Sequence, residues 1–110
     1  MDEARLTSAM LAGLLIRRAQ TEGGFAMVLA KGDPTSGVIL IQTAERGVET
    51  GLFERIPDYE KGGYRLIPCG GADPAARADY LERRRKNDRD LWIIELDVPN
   101  AEQFAAETIC

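Results

Sequence analysis

The apolar positions of this chain change their spacing from one segment to the next, and those changes predict its elements. Leu11, Leu14 and Leu15 recur at i, i+3 and i+4, the repeat of one helix face. Thr7 or Ser8 can cap that helix, and Gly23 and Gly24 supply a left-handed stop. Arg17, Arg18 and Gln20 lie in its last turns, where positive charge suits the helix dipole. Two runs, 25–30 and 38–43, are then apolar at nearly every position, which predicts strands covered on both faces. The segment 48–56 is more mixed, with Glu49, Glu54 and Arg55 among Val48, Leu52 and Phe53. It predicts a half-exposed strand nearer the sheet edge, entered through a hairpin turn at 44–47. A short fourth strand is expected from Tyr64 to Ile67, closed by Pro68.

Asp73 followed by Pro74 marks the start of a second helix running to about Lys86, where Asn87 is expected to take a left-handed cap. From Leu91 to Val98 the pattern alternates. Trp92, Ile94, Leu96 and Val98 are predicted to face one way and Leu91, Ile93, Glu95 and Asp97 the other. Asn100 and Gln103 resemble a capping box that opens a short terminal helix containing Phe104. The predicted order is α-β-β-β-(β)-α-β-α, an α+β fold in a single domain over 1–110. Consecutive strands joined by tight turns favour a largely antiparallel meander sheet packed by helices. Strands apolar on both faces need more cover than one helix provides. Either helices pack on both sides or a second subunit covers one face, so a homodimer is an expectation to be tested.

The connection Lys31-Gly-Asp-Pro-Thr-Ser-Gly37 has the glycine spacing of a phosphate-binding loop. Such a loop needs Lys and Ser/Thr after its second glycine, then a helix N-terminus. Here Gly37 runs into Val38-Ile39-Leu40-Ile41, a strand, and Pro34 removes one backbone N–H. The turn chemistry of Asp33, Pro34 and Gly37 accounts better for the segment, which reads as a β-hairpin connection.

Composition narrows the chemistry. A formal charge of −4 argues against broad nucleic-acid or membrane-surface binding. Met1-Asp-Glu-Ala-Arg5 is not the positive start of a secretory leader, and the apolar run 10–16 is too short to span a bilayer. A cytoplasmic location is expected. With no histidine, every Ser-His or Cys-His nucleophile pairing is excluded. Cys69 and Cys110 form no CxxC pair, so one chain has no zinc ligand set, and no cofactor is implied. Cys69 is expected to pack as a small hydrophobe and Cys110 to be a free thiol at a frayed end.

Three sets of charged residues are candidates. Asp88, Asp90, Glu95 and Asp97 are dense enough in oxygen to suggest magnesium or calcium, but Trp92 and Ile93 break an EF-hand pattern. A polar edge beside the core, with Asp88 and Asp90 bonded to backbone or arginine, explains them more simply. In the run Arg83-Arg-Arg-Lys86, Asp79 and Glu82 stand four residues before Arg83 and Lys86, so half the charge is expected to be paired. Arg77, Arg84 and Arg85 remain as a nucleic-acid alternative, but no aromatic residues are interleaved to stack bases. Arg17 and Arg18 are expected to pair with the acidic set, and Trp92 to anchor the core.

Two blocks, RLTSAMLAGLLIRRAQTEGGFAMVLAKGDPTSGVILIQ and YLERRRKNDRDLWIIELD, carry a family resemblance. The arginine pair closing the first helix, GGFA, KGD followed by Gly37, and D-x-D-L-W with Glu95 are its details. Together they resemble a family of short alphaproteobacterial proteins catalogued only as a domain of unknown function. The resemblance implies a small cytoplasmic bacterial protein and carries over no catalytic residue. The expectation is therefore a non-catalytic binding module, homodimeric, with Arg17, Arg18, Lys31, Asp33, Asp88, Asp90 and Glu95 as candidate binding residues. The alternatives are a metal-dependent or enzymatic activity at Asp88, Asp90, Glu95 and Lys31, and a nucleic-acid accessory role for the second-helix arginines.

Overall fold

Thr7 accepts a hydrogen bond from the Met10 N–H and so starts α1 (Ser8–Thr21), which Gly23 ends at φ +80°. The computed structural model describes residues 6–110, and the N-terminal pentapeptide read above as no secretory leader lies outside them. After α1 come β1 (Phe25–Ala30), β2 (Ile39–Glu45), β3 (Val48–Pro57) and β4 (Tyr64–Pro68). Then follow α2 (Pro74–Asn87), β5 (Trp92–Asp97) and α3 (Ala101–Ile109). The predicted order and the α+β class are both present.

The strands form one five-stranded sheet in the order β1-β5-β2-β3-β4. The β1–β5, β2–β3 and β3–β4 pairings are antiparallel, as expected, while β2 and β5 run parallel. The sheet is therefore mixed, and β1 and β2 are not a hairpin. β5 is inserted between them, and the eight residues from Lys31 to Val38 carry the chain across its end. That crossing is two strand spacings, about 10 Å. The physical reason lies in β5, which buries Trp92, Ile93, Ile94 and Leu96 from both faces and so requires a central position. The β2–β3 hairpin does form, through the two-residue turn Arg46-Gly47 with both φ values positive.

On one face, α1 and α3 pack over Leu11, Leu15, Ile39, Ile41, Trp92, Ile94 and Leu96. On the other, α2 leans Tyr80 and Leu81 on a smaller cluster of Leu40, Leu52, Leu91 and Ile93, with Cys69 beside them. The predicted alternation of β5 holds, with its Trp92 set under α1 and α3 and its Leu91 set under α2. β2 is buried on both faces as expected, but β1 is not. Its Ala26 and Val28 pack inward, while Phe25, Met27 and Leu29 are 50, 44 and 38% exposed. The cause is position, since β1 is an edge strand beyond the reach of α2.

Two cap predictions also fail. Asn87 stays helical, and the backbone N–H of Asp88, extended at φ −146°, caps the helix on the Arg84 carbonyl. Asn100 adopts φ 52° and makes no side-chain cap bond, and Gln103 donates instead to Glu107 one turn on. Among the described residues no helix is long and apolar enough to cross a membrane.

Candidate functional site

The 31–37 loop, the α2–β5 connection and the start of α1 are tied together by backbone hydrogen bonds. The Asp33 N–H donates to the Asp90 carbonyl at 3.0 Å, and the Trp92 Nε1–H to the Asp33 carbonyl at 2.7 Å. Ser8 Oγ donates to the Gly37 carbonyl at 2.6 Å, and the Ser8 and Ala9 N–H groups reach Thr35 and Pro34. A Cβ on either Gly32 or Gly37 would overlap the Asp90 carbonyl, so both glycines are required by close approach of backbone. The loop binds the protein to itself and leaves no cradle of free N–H groups.

Four of the seven sequence-predicted residues, Lys31, Asp33, Asp88 and Asp90, therefore lie at this one end of β5. The carboxylates of Asp33 and Asp88 are occupied locally. Asp33 accepts from the Thr35 and Ser36 N–H groups at 3.1 and 2.8 Å, and the Ser36 bond foremost holds its carboxyl below the usual range. Asp88 accepts from the Asp90 N–H at 3.0 Å. Glu95 stands elsewhere, in mid-strand beside Met27 of β1 and Gln42 of β2. Its neighbour two residues on, Asp97, caps the β2–β3 turn through the Arg46 and Gly47 N–H groups. Among the described residues no three Cys, Asp or Glu side chains gather closely enough to hold a metal. The geometric basis for the metal-dependent alternative is therefore missing at this cluster.

Arg17 and Arg18 do not meet the acidic set. Arg18 bridges α1 to α3, donating to Thr108 Oγ1 at 3.1 Å with its guanidinium 5.1 Å from the Phe104 ring centre. Neither arginine enters an ion pair among the described residues.

The α2 arginines are largely committed to the sheet. Arg77 grips Glu49 of β3 through two hydrogen bonds of 2.6 and 3.0 Å. Arg84 reaches Glu54 at 3.1 Å and the Tyr80 hydroxyl at 2.6 Å, with its guanidinium 5.6 Å from the Tyr80 ring centre. The Glu82–Lys86 pair forms loosely at 3.9 Å on the surface, and the expected Asp79–Arg83 pair does not. With Arg77 and Arg84 neutralised, the nucleic-acid alternative keeps only Arg85 of its three residues.

What sequence reasoning missed is the outer row of β1. Phe25, Met27 and Leu29 stand on a strand whose far edge has no partner in the sheet. Beside them runs an open groove of about 760 Å³, lined by Leu29, Leu81, Ile93, Arg85, Lys86 and Arg89. A signal was available. The eight-residue β1–β2 connection exceeds the two to five residues usual in a hairpin, which hints at an intervening strand.

Fold and surface thus define a small α+β protein built on a mixed five-stranded sheet with one apolar edge left open. The chain belongs to the family described as "Protein of unknown function (DUF1491)", whose model matches residues 6–106. It is similar to the crystal structure of a DUF1491 family protein from Caulobacter crescentus CB15, with 27% identity and a TM-score of 0.77. That match covers 91% of this chain and 94% of the other. An NMR structure of a DUF1491 family protein from the same organism matches with 27% identity and a TM-score of 0.75, over 93% and 94% of the two chains. The solution structure of protein Atu0922 from A. tumefaciens is 31% identical, with a TM-score of 0.67 over 86% of this chain and 87% of that one. The alphaproteobacterial resemblance drawn from the two sequence blocks is confirmed. No curated protein matches.

Proposed function

We propose that this protein is a non-catalytic binding module that works as a homodimer in the cytoplasm, joined through the free edge of β1. The observation that carries the reading is the exposed row Phe25, Met27 and Leu29 on an edge strand. From Phe25 to Ala30 there is no charge and no proline to guard the bare edge, and its one irregularity is a bulge at Leu29, near the strand end. The unpaired N–H and C=O groups of such an edge are best satisfied by another strand.

The strand is self-complementary. Around a two-fold axis with Met27 opposite Met27, Ala26 of each copy faces Val28 of the other, and Phe25 meets the bulge at Leu29. Glu22 then approaches Lys31 of the opposite copy at both ends of the ribbon, and both residues are exposed in the single chain. Cross-strand apolar and opposite-charge pairs of this kind are the unit of sheet stabilisation. The chemistry of the chain supports binding over catalysis. It has no histidine, and burial pushes the Cys69 thiol up, away from its nucleophilic form.

Size-exclusion chromatography with light scattering tests the dimer. The wild-type chain is expected at twice its 12.1 kDa mass, and Met27→Lys at the monomer mass with an unchanged circular dichroism spectrum. A wild-type monomer at about 100 μM, a concentration at which even a weak specific dimer would be populated, would overturn the reading.

A further inference from the structure

Glu54 and Arg55 are neighbours on β3, so strand alternation sends them to opposite faces. Glu54 turns to α2 and takes Arg84. Arg55 turns to the other face, where its Nε–H donates to the Ile109 carbonyl at the end of α3, at 2.7 Å. Tyr64 of β4, on the diagonal from Arg55, lies against the guanidinium with Cζ 3.6 Å from the ring centre. The group is thus held at Nε and across its flat face.

Its other donors meet no carboxylate among the described residues. Arg77 and Arg84 each hold one, whereas beyond the Ile109 carbonyl Arg55 neighbours only Tyr64 and the Cys110 thiol, whose pKa burial pushes up, toward the neutral form. Burial pushes its pKa down, yet a guanidinium stays charged at neutral pH. A half-buried cation with no carboxylate among the described residues has lost hydration without gaining an ion pair there, which favours an incoming anion.

Arg55 faces an open cleft of about 860 Å³ whose apolar lining includes Leu6, Leu11, Tyr59, Tyr64 and Ile109. A smaller cleft of about 370 Å³ shares Leu6, Leu11, Arg55, Pro57 and Tyr64 with it. The larger volume falls in the range of small-molecule sites, roughly 300–1,000 Å³. Its lining is mixed, with Asp58, Thr108 and Cys110 beside Arg55 among the apolar walls.

We propose that this cleft binds a small carboxylic acid with an apolar or aromatic body. The Arg55 Nη atoms hold the carboxylate, and Leu11, Tyr59 and Ile109 receive the body. One planar fork matches one planar carboxylate. A dianion such as a phosphate monoester is disfavoured, because Asp58 lines the same cleft and no second cation does. This site lies at the β3–β4 side of the sheet, remote from the β1 edge, and does not depend on dimerisation.

An NMR titration of the full chain with benzoate, using benzamide as the uncharged isostere, tests the proposal. Benzoate is expected to bind saturably with a Kd on the order of 1 mM or tighter, shifting Arg55 Nε–Hε and the Tyr64 and Ile109 signals. Benzamide should bind about tenfold more weakly, and Arg55→Lys, which keeps the charge but loses the fork, should weaken benzoate about as much. Arg65→Gln, next to Tyr64 on β4 but exposed on the opposite face, should leave it unchanged. The Met27→Lys monomer should bind benzoate as the wild type does, which separates this site from the dimer. No saturable shift at Arg55, equal affinity for benzamide, or full affinity in folded Arg55→Lys would each overturn the proposal. So would loss of binding in Arg65→Gln or in folded Met27→Lys.

Discussion

Beneath α1 and α3 the sheet buries Leu11, Leu15, Ile39, Ile41, Trp92, Ile94 and Leu96 in one continuous cluster, whereas beneath α2 it buries only Leu40, Leu52, Leu91 and Ile93. The helices differ accordingly. α1 buries Leu11, Ala12, Leu15 and Ala19, and α3 buries Ala101, Ala105 and Ile109, while α2 buries no residue fully. What holds α2 is mostly charge, with Arg77 on Glu49 and Arg84 on Glu54. The same sheet is thus held by close packing on one side and by ion pairs around a thin apolar contact on the other. The thin side leaves a groove between α2 and β1 lined by Leu29, and Phe25 and Met27 stay exposed further along the same strand. The outer face of β1 is left open there because α2 is too polar to cover it.

The most direct way to break this comparison uses adjacent residues of β5. Ile94→Ala on the crowded face should cost about 2–5 kcal/mol in urea denaturation, because nothing nearby can collapse into the void. Ile93 is buried almost as fully but lines the open groove, where water and the half-buried Leu81 can relax into the gap. Ile93→Ala should therefore cost at least about 1 kcal/mol less than Ile94→Ala. Equal costs would mean that the two faces are equally well packed.

A smaller effect probes how α2 is held. Arg77→Ala should destabilise by about 2 kcal/mol, since it removes two charge-assisted hydrogen bonds shielded by the helix. Hydrogen exchange should rise in α2 before it rises in α1. A uniform rise across both helices would contradict the view that charge anchors α2 alone.

The smallest expected effect is one of pH. The carboxyls of Asp33 and Asp58 are held below their ordinary range, chiefly by the N–H groups of Ser36 and Lys61 respectively. A carboxyl whose pKa is depressed on folding contributes stability that is fully present above its unfolded value. That stability is lost as the pH falls through the folded value. The contribution should be constant at neutral pH and decline below about pH 4. Asp33→Asn, followed by denaturation at pH 7 and pH 3, should show a smaller loss at the lower pH. A loss equal at both would show that the carboxylate charge is not involved.

Much of the fold was legible because local patterns report local structure. The Thr7 and Asp73 caps, the Gly23 stop, the Arg46-Gly47 turn, the two-sided burial of β2 and the alternation of β5 all follow from residue type and spacing. The candidate site was far less legible. Lys31, Asp33, Asp88 and Asp90 do lie together, but in a role that fastens two loops. Arg18 went to α3 and Glu95 to mid-sheet. Arg55 drew no attention as a site because a lone arginine in GLFERIP has no local mark of a missing partner.

By itself, then, the sequence determined which segments become helix or strand, which face of each is apolar, and the family to which the chain belongs. Only the tertiary structure decided strand order, and with it which apolar strand is buried and which is left open. Phe25–Ala30 and Trp92–Asp97 are both apolar strands by pattern, and the periodicity of either is blind to its neighbours. β5 took the centre because it has large side chains for both faces. β1 carries alanine at 26 and 30 on its inward positions and was left the edge, with Phe25, Met27 and Leu29 toward solvent. The same long-range choice set β3 beside β4, and so placed Arg55 over Tyr64 at the mouth of a cleft.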